Sequence, residues 1–293
     1  MGHQVVLFAN QVEDFRLCRV IPHPKISRNI ILQLVRMFIS YTVLFLKRPI
    51  VILRFLHLEK KDGVSIRSRW ENLYLNCHIL KEKLDWLHFG FATMSIRREN
   101  VARAIGARMG VSLRGYDICI YPLKHPECYQ RVWGKVDKIH SISYDLLEVA
   151  KEHGLNKKIS QIIIQPAIDV GYFNVREKKW KKFNGKEKIH FLTVARLHWK
   201  KGMEYTLQTL AILKEHNISL HYTVIGNGQE RERLLFAVHQ LGLEHWVTFA
   251  GSVPHQNIRE YYEEADIYLQ YSIQEGFCNA LLEAQAMGLI TIV

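Results

Sequence analysis

The chain has 293 residues, 48% of them hydrophobic and 23% charged, with 17 Gly and 7 Pro. That composition excludes a disordered chain, a collagen-like fibre and a small disulfide scaffold, and the length leaves room for two domains with a core each. The net charge of +12 is uneven: residues 1–169 hold 26 Lys+Arg against 15 Asp+Glu, and residues 170–293 hold 14 against 13. The first half therefore calls for an anionic partner, whether a membrane surface, an acidic substrate or a nucleic acid.

In chain order, the N-terminus has no basic segment ahead of its short apolar run, so it reads as a strand over Gln4–Phe8 and not as a secretory signal. Between Lys25 and Lys61 the cations Arg28, Arg36, Lys47, Arg48, Arg54, Lys60 and Lys61 stand among Ile, Leu, Val and Phe. Such a segment either lies in the interface of an anionic leaflet or is a core helix whose basic side chains reach out to water. Its apolar stretch, Ile30–Leu46, is interrupted by Gln33 and Arg36 and closed by Lys47-Arg48-Pro49. A spanning helix needs about 20 apolar residues, so this one is not expected to cross a bilayer.

Further strands are expected at Trp86–Phe89, Gly110–Leu113, Lys138–Ser143 and Ile162–Gln165, with helices between them. Residues 170–188, Lys-rich and holding Asn184-Gly185, read as a linker between a first domain over 1–169 and a second over 189–293. In the second half, strands at Ile189–Ala195, Leu220–Ile225, Trp246–Ala250, Ile267–Leu269 and Leu289–Val293 alternate with helices. The helices are expected at Met203–Glu215, Glu230–Gln240, Asn257–Glu264 and Asn279–Met287. This alternation implies parallel α/β sheets, and two Rossmann-like halves leave a cleft at the carboxyl ends of their strands. The cysteines, Cys18, Cys77, Cys119, Cys128 and Cys278, are scattered and make no Cys-x-x-Cys, which fits reduced thiols in a cytosolic compartment.

Two stretches carry chemistry. In Glu275-Gly276-Phe277-Cys278-Asn279-Ala280-Leu281-Leu282-Glu283, one carboxylate sits in a Gly-containing loop and the other about a turn into the helix that follows. The backbone N–H groups opening that helix suit a phosphate, and the flanking carboxylates can accept from the hydroxyls of a ribose and a sugar. In Arg196-Leu197-His198-Trp199-Lys200-Lys201-Gly202, Arg196 leaves the end of a strand and Lys201 stands five residues on at the start of a helix, a fork and a point charge suited to a diphosphate. Seen singly, Glu275 could be a solvated loop acid, Glu283 an exposed helix residue and the lysines a solvated loop. His125-Pro126-Glu127-Cys128 lacks the Cys pair of a zinc deaminase, and Gly226-Asn227-Gly228 lacks a third glycine and a Walker Lys. No RNP strand, zinc finger or basic zipper supports nucleic-acid binding.

Together the segments resemble the family-4 retaining glycosyltransferases of the GT-B fold, with two Rossmann-like domains facing across a cleft. The resemblance is carried by Arg196–Gly202, Tyr222–Gly228, Val247–Pro254, Tyr261–Ile267 and Glu275–Gly288, and more loosely by Val111–Asp117 and Ile164–Asp169. It implies that Arg196 and Lys201 neutralise the donor diphosphate, Glu283 holds the ribose hydroxyls and Glu275 orients the hexose. The backbone of Phe277, Cys278, Asn279, Ala280 and Leu281 would meet phosphate and sugar. Gly226 would line the nucleotide site and Val253 would lie near the base. No protein nucleophile, cofactor or metal is implied, and the chain has no Asp-x-Asp.

The family's usual His-Gly-x-Asp reads Arg114-Gly115-Tyr116-Asp117 here. Arg donates hydrogen bonds but cannot act as a base, so the acceptor side is expected to differ. Relative to the family both ends look short, so weak or absent activity is expected of the chain as it stands. The function implied is transfer of a hexose from a nucleotide diphosphate sugar to a lipid-linked or polysaccharide acceptor, at the cytoplasmic face of a membrane. The rival is a non-catalytic chain that binds nucleotide or an anionic membrane surface.

Overall fold

Apolar runs separated by amphipathic segments give strands that pair in parallel with helices between them. A computed structural model describes residues 2–9, 17–175 and 187–293. The chain divides into two compact units, Met1–Ile164 and Gln165–Val293.

The first unit begins with β1 (Val6–Ala9), which pairs in parallel with β2 (Arg19–Pro22). Three helices follow, α1 (Ile30–Lys47), α2 (Pro49–Lys61) and α3 (Ile66–Leu80). Then come β3 (Trp86–Phe89), α4 (Val101–Ile105), β4 (Arg108–Leu113) and the short helices α5 (Gly115–Cys119), α6 (Tyr121–Lys124) and α7 (Gln130–Trp133). The unit closes with β5 (Lys138–Ser141), α8 (Tyr144–Glu152) and β6 (Ser160–Ile163). Strands β3, β4, β5 and β6 make a parallel sheet in chain order. Strand β3 lies where the sequence places it. Strand β6 starts two residues earlier than expected, and β2 was not foreseen: its four residues include a charge and a proline, too short for a period to show.

Helix α1 follows from its punctuation. Asn29 caps it, accepting from the Leu32 N–H at 3.1 Å, and Pro49 forces a break before α2. Gln33, expected to interrupt the apolar run, turns back and accepts from the Ser27 N–H at 2.9 Å. By length and composition alone α1 is long and apolar enough to cross a membrane. That differs from the expectation, because Arg36 and Lys47 are its only charges and the Gln33 amide is satisfied, which leaves the helix mostly apolar. Only Leu44 of its residues is buried.

Helices α2, α3 and α4 enclose a polar network. Glu59, 1% exposed, accepts from Asn72 and from Asn100, each at 2.8 Å. Lys135 ion-pairs with Asp62 and donates to Asn100 Oδ1 at 2.6 Å. Buried charges persist where each is partnered in this way.

The second unit runs β7 (Ile189–Val194), α9 (Met203–Glu215), β8 (Leu220–Ile225), α10 (Arg231–Gln240), β9 (Val247–Gly251), α11 (Ile258–Glu264), β10 (Ile267–Leu269), α12 (Asn279–Ala286) and β11 (Ile290–Ile292). Its sheet is parallel, in the order β11-β10-β7-β8-β9. Most of the expected linker, residues 176–186, lies outside the described residues. Before it, Phe173 is buried in the core of the second unit with Tyr262 and Ile258.

Candidate functional site

The strand order decides where a site can form. From β7 the chain winds outward through β8 and β9, then returns to the other side of β7 for β10 and β11. The loops after β7 and β10 therefore leave a switch point of the sheet, where carboxyl-end loops part and open a crevice for ligands. These loops hold Arg196–Gly202 and Gln270–Cys278.

The two loops are stitched together. Ile273 N–H donates to the Lys200 carbonyl at 2.8 Å. Gly202 has φ 59°, and a Cβ built on it would lie 1.8 Å from the Tyr271 carbonyl oxygen. Only glycine allows that approach. Lys201 thereby reaches Glu275, and the two form an ion pair. Glu275 Oε2 also lies 3.5 Å from both Gln270 Nε2 and Ser272 Oγ. Gln270 is fixed in turn, accepting from the Tyr268 hydroxyl at 2.5 Å and from Cys278 Sγ at 3.2 Å.

The β8 loop closes against the same place. Gly226 has φ 135°, and its Cβ would fall 1.9 Å from the Ala195 carbonyl oxygen. Its N–H donates to Gly251 O at 2.7 Å, while Leu197 N–H donates to Asn227 O at 3.0 Å. Arg196 stands beside this junction, exposed and without a hydrogen bond or ion pair among the described residues. His198 turns its Nδ1 toward the Lys200 N–H at 3.3 Å. Burial, then the Lys200 and Arg196 charges, hold its ring below the usual imidazole range.

Helix α12 begins at Asn279 after an extended Cys278, with no side-chain cap and no acid in its first turn. The first N–H groups of any helix lack intrahelical acceptors and carry partial positive charge, so this end can receive an anion. Glu283, one turn on, is 7% exposed and so is not a solvated helix residue. The Tyr262 hydroxyl donates to its Oε2 at 2.9 Å, and His255 Nε2 lies 3.3 Å from its Oε1. Burial, then the Glu283 charge, push the Tyr262 phenol far above its usual range, so it stays a donor. Val253 is half-buried in the loop after β9, packed against the core that holds Tyr262 and Ala284.

Arg114 belongs to the first unit. It follows β4, half-buried, with Nε 3.5 Å from the Gly90 carbonyl oxygen. Asp117 of the same segment is 1% exposed and accepts from the Ala92 N–H at 2.9 Å and the Thr93 hydroxyl at 3.1 Å. It braces the loop after β3, and burial pushes its carboxyl above the usual range.

Of the residues expected from sequence, the second unit brings Lys201 to Glu275 and sets Gly226 beside Ala195 and Arg196. It places Phe277, Cys278, Asn279, Ala280 and Leu281 around the start of α12. Sequence reasoning missed Gln270, Ser272, Tyr262, Tyr268 and His255. Each acts through a partner on another element, or through a side chain that a short strand or loop does not mark out.

Residues 174–293 match the family model described as glycosyl transferases group 1. Among curated proteins, the chain is 28% identical over 217 residues to the amylovoran biosynthesis glycosyltransferase AmsK of Erwinia amylovora, covering 69% of this chain and 51% of that protein. The chain thus spans about half the length of the curated relatives it matches over most of its own. Among solved structures, HepE of Anabaena in complex with UDP and glucose superposes with a TM-score of 0.59 at 14% identity, covering 77% of this chain and 60% of that one. A glycosyltransferase from Rickettsia africae superposes with a TM-score of 0.63 at 15% identity, covering 99% and 70%. The fold is mixed α/β with parallel sheets, and its structural neighbours are GT-B glycosyltransferases.

Proposed function

We propose that the protein is a glycosyltransferase that moves a hexose from a nucleotide diphosphate sugar to a lipid-linked or polysaccharide acceptor, with retention of configuration. The observation that carries this reading is the Lys201–Glu275 pair at the switch point of the second sheet, beside the open start of α12 and the buried Glu283. The match of residues 174–293 to glycosyl transferases group 1, and the UDP and glucose bound by the Anabaena neighbour, support it.

In this reading Glu283 accepts from the ribose hydroxyls, held in place by Tyr262. The N–H groups at the start of α12 meet the phosphates, and Gly226 keeps the β8 loop clear of the nucleotide. Arg196 and Lys201 neutralise the charge that grows on the diphosphate as the bond from the anomeric carbon breaks. Glu275, steadied by Lys201 and Gln270, accepts from hexose hydroxyls. The acceptor oxygen bonds to the anomeric carbon on the face the diphosphate leaves, and the acceptor proton passes to a departing phosphate oxygen. Arg114 is assigned to the acceptor side as a hydrogen-bond donor. Work takes place at the cytoplasmic face of a membrane, which the basic first unit approaches.

Arg114, which cannot serve as a base, favours one second reading: a chain that binds nucleotide without turnover. Thermal stabilisation by UDP, GDP and ADP, with and without sugars, tests the donor site. A ligand at about 100 times its dissociation constant adds about 2.7 kcal/mol. A shift with one nucleotide that disappears in Glu283→Ala supports the site, and no shift from a folded protein overturns it. A shift without sugar transfer selects the second reading.

A further inference from the structure

The first unit holds a second place where charge and apolar surface meet. A cavity of about 560 Å³ opens between β2, α1 and α3. Among the described residues five cations line it, Arg19, Lys25, Arg36, Lys47 and Lys81, against a single carboxylate, Glu82. That carboxylate is already engaged: Arg19 Nη1 and Nη2 each reach one of its oxygens at 3.1 Å. Lys25, Arg36, Lys47 and Lys81 have no carboxylate at ion-pair distance among the described residues. Four cations without a carboxylate partner among the described residues, set around one concavity, repel each other and focus a positive potential that an anion relieves.

His78 forms part of the wall, 6% exposed, with its ring edge-on to Phe8 and His23. The surrounding ammonium and guanidinium groups can make charge-assisted bonds to phosphate oxygens.

The outer wall identifies what carries the anion. Helix α1 turns Arg36, Ser40 and Lys47 into the cavity. On its other faces Phe38 and Leu46 are 72% and 76% exposed, and Ile50 and Leu53 at the start of α2 are 70% and 66% exposed. A soluble anion needs no such surface, whereas the chains of a lipid do. We infer that this cavity binds the phosphate headgroup of an anionic lipid, whose apolar chains run along the exposed face of α1 and the start of α2.

The site deepens the proposed membrane contact and rests on that part of the reading. It is independent of the nucleotide site, which lies in the other unit, so either can fail alone.

The test is flotation of the full chain with vesicles of phosphatidylcholine containing phosphatidic acid, against phosphatidylcholine alone. Binding to the acidic vesicles is expected to fall about tenfold or more in the double variant Arg36→Gln, Lys81→Gln. It should be nearly unchanged in Lys157→Gln, Lys158→Gln, which removes the same charge from an exposed stretch of the first unit. Melting curves confirm that both fold. If the cavity double variant does not, Lys47→Gln alone carries the test, with a loss of about threefold expected. Equal losses in the cavity and control variants overturn the site, since the attraction is then diffuse. Binding to acidic vesicles that is unchanged in the cavity variants overturns it while leaving the membrane contact standing. No binding to any vesicle overturns both. Displacement by inorganic diphosphate at equal phosphate concentration assigns the cavity to free phosphate, and displacement by an oligonucleotide assigns it to nucleic acid. Either displacement overturns the lipid.

Discussion

The Tyr262 hydroxyl donates to Glu283 Oε2 at 2.9 Å, joining α11 to α12 across 21 residues of sequence. Both side chains are buried, Tyr262 completely. The pair holds a carboxylate at the mouth of the proposed donor site while sparing it a buried, unsolvated charge. Tyr262→Phe is therefore expected to destabilise the fold by about 1–3 kcal/mol, the cost of an unpaired buried acceptor. It should also weaken nucleotide binding several-fold. Urea denaturation and nucleotide titration of the same variant check both parts.

Lys201 and Glu275 are proposed to act together on the donor. Lys201→Ala is expected to lower kcat/KM about a hundredfold, the scale of removing one preorganised charge from a developing anion. Nucleotide affinity should fall much less, because Glu283 and the start of α12 remain. Steady-state kinetics beside calorimetric titration separate the two effects. An equal loss in both would mean that Lys201 contributes only binding.

Gly202→Ala places a methyl group 1.8 Å from the Tyr271 carbonyl oxygen at φ 59°. The loops after β7 and β10 would have to part, at about 2–4 kcal/mol. Thermal melting should show the loss, and nucleotide stabilisation should weaken with it. A variant that melts like the parent would show that the loops separate freely.

Lys135→Met removes the cation from the network of Asp62, Asn100 and Glu59. Breaking a fully buried pair costs about 3–5 kcal/mol. Because the Asp62 side chain is 21% exposed, about 2–4 kcal/mol is expected here. Chemical denaturation measures it, and Asp62→Asn with Lys135→Met should recover part of the loss.

His78 gives the first unit a pH dependence. Burial, then the His23, Arg98 and Lys81 charges, push its pKa down to about 3, from 6.5 when exposed. Between those values the unfolded chain holds a proton that the folded chain does not. Stability is therefore full above about pH 6.5 and falls as the pH drops toward 3. His78→Phe should flatten that slope, as denaturation midpoints at pH 7 and pH 5 would show.

The alternation of elements was legible from residue pattern alone. Short apolar runs between amphipathic segments placed Leu220–Ile225 and Ile267–Leu269 without error, and Gly288 marked the end of the last helix. The Gly-containing loops and the residue types around Arg196 and Glu275 were likewise visible, because the proposed recognition of phosphate and sugar needs particular chemistry at the ends of strands. Which residues meet was not visible. Lys201 and Glu275 are 74 positions apart, and only the reversal of strand order at β7 brings their loops together. The burial of Glu283 depends on Tyr262 from the preceding helix, and a helical period cannot report a partner on another helix. The same limit applies to α1. Its apolar character is written in the chain, but which faces remain bare was decided by how few neighbours α3 and β2 provide, since exposure belongs to the packing and not to the segment.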